Sequence, residues 1–367
     1  MEARKLADVS EAAPRGKDGF ALPKRQVAGH LPAAMPHVVT FGELMLRLTP
    51  PGHLRLGQAP HFEITFGGAE ANVAVLIAQL GGSAEFVTKL PDNDIAQRAI
   101  DELRGLGVGV GKIARGGDRI GVYYLEQGAS QRAGKVIYDR AQSAIAEASP
   151  GDFAWPEIFA GADWFHWSGI TPALSAAAAQ ITAEAIAAAR AQGLTISFDL
   201  NYRAKLWRSP AHAGEVLAPL MASVDVCVTS VEEARGVFGV AVPDGADRDV
   251  KVAAQLSARF GFKTVALTQR QGATADHTSW GAMLFHGGAT YASPRHEITN
   301  VDRVGAGDSF TGALIFALRR GDAPQKAVDF AVAASTLKHT IPGDYCRVTL
   351  AEVEALAAGA GGGRVQR

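Results

Sequence analysis

The sequence predicts an α/β chain, a doubly wound and mostly parallel sheet with a small β-sheet lid. Three observations carry that expectation. From residue 37 onward, short β-rich runs alternate with helical runs, the pattern of a parallel sheet covered on both faces. Two segments, 45–66 and 112–140, break the alternation with hairpin-like patterning and glycine turns. The composition, 47% hydrophobic and 20% charged over 367 residues, is ordinary for a globular chain with a core that needs no staples.

Taken in order, residues 1–36 hold Ala, Pro, Gly and scattered charge without apolar periodicity, and read as a disordered tail. The folded region is expected over 37–360, with a short tail at 361–367. After HVVTFGE (37–43), the runs AEFVTKL (84–90), DWFHWSG (163–169), LTISFDL (194–200), VDVCVTS (224–230) and KTVALTQ (263–269) read as buried strands. Helices are expected at 71–80, 94–107, 173–193 and 249–261, and most of the remainder, 309–321 and 324–340, also reads as helix. The segments 45–66 and 112–140 are assigned to the lid.

Several function classes are excluded. With 36 basic and 37 acidic residues, a formal charge of −1 and no basic stripe, nothing suggests a nucleic-acid partner. No run of about 18 apolar residues could span a membrane, and the N-terminus has no signal-peptide apolar core. The two cysteines, Cys227 and Cys346, are far apart in sequence, which fits a reduced, cytoplasmic setting. GLGVGVGKI (105–113) imitates a phosphate loop, but Leu106 stands where its first glycine should be and Ile113 replaces its hydroxyl. The ten histidines are dispersed and build no metal site.

Two motifs carry chemistry. In VDRVGAGDSFTGAL (301–314), Gly305, Ala306 and Gly307 precede an acid and a helical run. Free N–H groups and the dipole at a helix start favour an anion. Asp308 there is either a helix cap or the base that takes a proton from an attacking hydroxyl as a phosphoryl group transfers. In FGGAEANVAVLIAQLGG (66–82), Gly67 and Gly68 lead into a helix with Asn72 on its first turn. That is either a plain glycine turn or a polyol site.

Together, the early Gly-Gly-x-x-x-Asn and the late Gly-Ala-Gly-Asp resemble the ribokinase-like family of carbohydrate kinases, from about residue 37 to the C-terminus. The resemblance implies a ribokinase-like fold with a lid, ATP with Mg²⁺, a primary alcohol as acceptor, and room for a monovalent cation. GGAEANVA (67–74), IYDR (137–140), SFDLNYRAKLW (197–207), VDRVGAGDSF (301–310) and KHTIPGD (338–344) are similar to 2-keto-3-deoxygluconate kinases. A sugar acid carries a carboxylate, which suits a planar guanidinium, and Arg140 and Arg203 stand where a substrate pocket should be. By matching position, Asp308 is the base and Gly305, Ala306 and Gly307 the anion hole. Substrate contacts fall to Glu43, Gly68, Asn72, Tyr123, Tyr138, Arg140 and Arg203. Asn201, Ser230, Thr268, Arg270, Ala334 and Lys338 fall on the nucleotide. Glu233 organises Mg²⁺ through water.

The chain departs from the family pattern at Ser230, where the metal motif has Asn, and at Arg303, which is Thr in much of the wider family. The segment 269–282 reads as a long nucleotide loop. The expected activity is phosphorylation of 2-keto-3-deoxygluconate on its terminal hydroxyl. The alternatives are a fructokinase or ribokinase of a neutral sugar, or a silent sugar-acid sensor. The sugar's stereochemistry stays open, and the lid is a candidate homo-oligomer surface.

Overall fold

Alternate residues of the central strands point to opposite sides of one sheet. Val38, Trp164 and Val226 enter one apolar layer, and Val39, Phe165 and Cys227 the other. The computed structural model describes residues 37–272 and 274–360, so the expected tails lie outside the described residues.

From β1 (His37–Phe41) the chain forms a first hairpin, β2 (Met45–Thr49) and β3 (Glu63–Gly67), and then helix α1 (Ala69–Gln79). Strands β4 (Ala84–Val87) and β5 (Lys89–Leu90), helix α2 (Asp94–Gly105) and strand β6 (Ala114–Arg115) follow. A second hairpin is made of β7 (Gly121–Glu126) and β8 (Lys135–Asp139). The next stretch runs α3 (Trp155–Ile158), β9 (Ala162–Ser168), α4 (Ala176–Ala191), β10 (Thr195–Asp199) and α5 (Pro210–Leu217). It continues through β11 (Val226–Thr229), α6 (Val231–Phe238) and α7 (Arg248–Phe260). Strands β12 (Thr264–Gln271), β13 (His277–His286), β14 (Ala289–Ala292) and β15 (His296–Thr299) precede α8 (Ala306–Arg319), α9 (Pro324–Lys338) and α10 (Leu350–Ala357).

The main sheet has the order β14-β13-β12-β11-β10-β9-β1-β4, with β15 on β13. Its pairs from β4 to β12 are parallel and the rest antiparallel. Helices α1, α8 and α9 pack on one face through Val73, Leu314 and Val328, and α4 and α7 on the other through Ile181 and Leu256. Phe41, Phe165 and Phe198 are completely buried, each contributing about 1.5–3 kcal/mol by removal from water. Because β1 lies between β4 and β9, the winding reverses at β1, and such sheets take ligands at the carboxyl ends beside that point. No helix among the described residues is long and apolar enough to cross a membrane.

Both hairpins form one four-stranded lid, β3-β2-β7-β8, joined by the parallel pair β2–β7. Its inner face carries Met45, Tyr123 and Leu125 onto Val304, just before α8. Two expectations need correction. Residues 114–115 lie outside the lid, because Ala114 N–H and Gly116 N–H donate to Thr88 and Leu90 and pair β6 with β5. The segment 269–282 holds the end of β12 and the start of β13, paired antiparallel as far as Gln271 and Ser279, and Thr278, Trp280 and Ala282 alternate into the core.

Candidate active site

Gly305 caps α8 in the left-handed region, at φ +82°. A Cβ there would lie 2.1 Å from the Asp344 carbonyl oxygen, so only glycine fits both the turn and the close approach. First-turn N–H groups of a helix have no acceptor within it. Ala306 N–H reaches the Arg303 carbonyl at 3.2 Å, while a Cβ on Gly307 would meet open space. The start of α8 is therefore open to an anion on the Gly307 side.

Asp308 follows directly, on the first turn of α8. Its carboxylate accepts from Asn72 Nδ2 at 2.6 Å and Asn201 Nδ2 at 3.5 Å. The cap position is held by Gly305, so the cap reading of Asp308 does not describe it. Burial pushes the Asp308 carboxyl up to about 6, with Asn72, Arg203 and Lys338 pulling it down and Asp344 pushing it up. A carboxylate near neutrality beside an anion hole can accept a hydroxyl proton at physiological pH.

Other expected substrate residues are engaged within the protein. Asn72 donates from Nδ2 to Asp308 and accepts on Oδ1 from Gly68 N–H at 3.4 Å, so it orients the acid. Gly68 is required by proximity, since a Cβ would lie 1.9 Å from the Glu43 carbonyl oxygen. Glu43 and Arg140 form a buried salt bridge, and Ser143 Oγ donates to Glu43 at 2.8 Å. Arg140, expected to read the substrate carboxylate, is already neutralised by Glu43. The Arg140 guanidinium also lies over the Tyr138 ring, 5.1 Å from its centre. Tyr138 stays on the lid's inner face, but the Tyr123 hydroxyl donates to Asp344 at 2.6 Å and is unavailable to a sugar.

On the nucleotide side, Asn201 reaches Asp308 and holds φ +40°, a strained conformation of the kind found at functional sites. Ser230 is the N-cap of α6, and its hydroxyl and N–H both engage Glu233. The other Glu233 oxygen accepts from Tyr202 N–H at 3.0 Å, which fixes the loop that carries Arg203. Thr268 Oγ1 donates to the Thr229 carbonyl at 3.3 Å. Ala334 and Lys338 are wholly buried, so neither lines a surface that a nucleotide touches; the Lys338 ammonium turns inward to the Asp302 and Ile341 carbonyls.

Arg203 and Arg270 remain exposed at the mouth. Among the described residues neither they nor Arg303 makes a salt bridge, and Arg203's hydrogen bond is a long one, 3.4 Å to the Tyr202 carbonyl. Burial, then Arg303 and Arg203, push the Arg270 proton affinity down, so three guanidiniums share one region. Arg303 also lines, with Leu125, Val136, Asn300 and Val304, a small cleft of about 110 Å³.

Sequence reasoning missed a buried ionic network beneath the site. Arg47 bridges Asp302 at 2.5 Å and Asp344 at 2.7 Å, tying lid strand β2 to both walls behind the anion hole. The signal was a lone arginine between Met45 and Thr49 on the inward face of a predicted lid strand. Glu70 was also missed; burial pushes it up to about 7 while Ser168 and Thr171 hold it. Asp199, raised by burial and then by Glu233 and Asp308, completes the acidic floor.

Comparison with known proteins agrees with this geometry. Residues 35–346 match the model of the pfkB family of carbohydrate kinases. The chain is 40% identical over 329 residues to a 2-dehydro-3-deoxygalactonokinase of Haloferax volcanii, covering 89% of this chain and 98% of that one. It is 30% identical over 288 residues to a fructokinase of Klebsiella pneumoniae, covering 76% and 83%. The crystal structure of a 2-dehydro-3-deoxygluconokinase from Thermotoga maritima superposes with a TM-score of 0.88 at 49% identity, covering 90% and 100%. The chain belongs to the pfkB family and is an ATP-dependent carbohydrate kinase.

Proposed function

We propose that this kinase transfers the γ-phosphoryl group of MgATP to the terminal hydroxyl of a 2-keto-3-deoxy sugar acid, 2-keto-3-deoxygluconate or its galactonate epimer, giving the 6-phosphate. The observation that carries the reading is Arg203, an exposed guanidinium that makes no salt bridge among the described residues and acts electrostatically on Asp308. A substrate carboxylate supplies the missing partner. The similarity to enzymes named for both epimers supports the same class.

In the transfer, the acceptor O–H bond breaks and its proton passes to Asp308. The acceptor oxygen bonds to the γ-phosphorus as the bond to the β-phosphate oxygen breaks, leaving ADP. Gly305, Ala306 and Gly307 receive the charge on the moving phosphoryl oxygens. Arg270 and Arg303 suit the remaining phosphates. Mg²⁺ arriving with ATP neutralises phosphate charge. Among the described residues no three His, Cys, Asp or Glu side chains converge as a cage, which fits an ion held by phosphates, water and one or two carboxylates. Glu233 is the carboxylate that would reach such an ion through water, since its two oxygens already accept from Tyr202 and Ser230. The same reading sets the enzyme in the cytoplasm, and it pairs two copies through the lid's outer row of Ile64, Leu48, Tyr124 and Ile137, which the strand register aligns.

A neutral-sugar kinase is the second reading, favoured by the Glu43–Arg140 pair, which removes one carboxylate reader. An ADP-release assay with MgATP and both ketodeoxy acids, fructose and ribose separates the two. A ketodeoxy acid is expected to give the highest kcat/KM; a preference for fructose or ribose overturns the proposal.

A further inference from the structure

Lys338 ends α9 and is wholly buried. Its ammonium donates to the main-chain carbonyls of Asp302 at 3.1 Å and Ile341 at 3.0 Å. Among the described residues it makes no salt bridge. An ammonium inside a protein is costly unless its charge is compensated. Burial lowers its proton affinity, and Asp302 and Asp344 act against that across the cluster while both bond to Arg47. Two buried cations and two buried carboxylates therefore balance, and loss of the Lys338 charge leaves the cluster with one uncompensated negative charge.

The location gives that charge a task. Asp302 begins the elbow that leads into the anion hole. Its carboxylate also accepts from Val304 N–H and Gly343 N–H, both at 3.0 Å. The second carbonyl held by Lys338, that of Ile341, belongs to the turn whose Asp344 oxygen abuts Gly305. One ammonium thus pins both strands of backbone that back the anion hole, and it lies close enough to act on Asp308.

We propose that Lys338 is a built-in cation of the phosphoryl-transfer site. It is a positioning residue that holds the two backing carbonyls and keeps positive charge beneath the anion hole. A free monovalent cation does not fit that carbonyl pair, because the ammonium occupies it. The enzyme therefore works without added potassium or sodium. The inference rests on the anion hole and Asp308 acting as described, and is independent of which sugar is the acceptor.

The test uses the full chain and its best acceptor, with ADP release followed at constant ionic strength. Wild type should give the same kcat in potassium chloride as in tetramethylammonium chloride, within about twofold. Lys338→Ala should lose on the order of 10²-fold in kcat, as when one stabilising donor of an anion hole is removed, with a smaller change in KM. Ammonium, methylammonium or potassium ions, by entering the vacated space, should restore at least tenfold of that loss. Lys338→Met, whose side chain fills the space without charge, should be equally slow and not restored.

The pH profile gives a second readout. Asp308 is faced by Asn72 on α1, Arg203 and Asn201 after β10, Asp344, and Lys338 on α9, and it acts in turn on Glu70 and Asp199. Only the Lys338 charge is absent in Lys338→Met, so the acidic limb of kcat should move to higher pH. A wild type that needs potassium overturns the proposal. So does a folded Lys338→Ala that no cation restores, or an unmoved acidic limb in Lys338→Met. If neither variant folds, the salt response of wild type alone decides. An active Asp308→Asn enzyme would instead remove the reading of Asp308 on which the inference stands.

Discussion

Replacing Asp308 by Asn should destroy activity and at the same time stabilise the protein. Burial holds the Asp308 carboxyl near 6 against an ordinary 3.8. A folded-state value above the unfolded one means that the native fold favours the protonated acid. The stability cost of ionisation is absent below about pH 4, grows as pH rises between the two values, and is complete above about pH 6. The full shift corresponds to about 3 kcal/mol at 1.36 kcal/mol per unit. Because Asp308 is only half-buried, solvent screening reduces this to about 1–2 kcal/mol. Asn keeps an acceptor for the Asn72 amide but carries no charge. Urea unfolding of both proteins without ligands, at pH 8 and pH 5, should show the variant more stable at both, with a gain at pH 5 about half that at pH 8. Its kcat should fall by at least about 10²-fold, the usual loss of a general base. A variant less stable than wild type at pH 8, or a gain that does not grow with pH, refutes the assignment of a charged, buried base.

Arg140→Ala should be a stability variant, costing about 3–5 kcal/mol because Glu43 is left buried without its partner; thermal unfolding measures this, and Glu43→Gln in the same background should recover part of the loss. Gly305→Ala forces a Cβ against the Asp344 carbonyl in a left-handed conformation, so kcat should collapse by more than about 10²-fold with far-UV circular dichroism unchanged. Ile137→Lys places a charge in the outer row of the lid and should convert a lid-paired dimer to monomer in sedimentation, with the monomer's mass already seen for wild type counting against that pairing.

The fold was legible because its central strands are buried on both faces, so VDVCVTS and LTISFDL read as apolar runs with no competing periodicity. The β12–β13 pairing escaped because the glycine-containing, polar sequence before His277 hides strands whose alternation begins only at Thr278. Local signals sufficed to place Gly305 and Asp308 at the start of α8, where a helix start and its acid are contiguous. They did not report that Arg140 pairs with Glu43, distant in sequence, or that Lys338, assigned to the nucleotide, turns its ammonium inward. Pairings across the fold decide whether a charged residue is free for a ligand, and no spacing rule reports them.

The central claim is that Arg203 meets the carboxylate of a sugar acid at the Asp308 site. The decisive measurement is the ratio of kcat/KM for the ketodeoxy acid to kcat/KM for fructose, in wild type and in Arg203→Ala. Any effect of Arg203 on Asp308 or on the moving phosphoryl group is common to both substrates and cancels in that ratio. A charge-assisted contact worth about 1.5–3 kcal/mol should make the ratio fall about 10–100-fold on substitution. A ratio unchanged by the substitution, or one that favours fructose in wild type, would contradict the account.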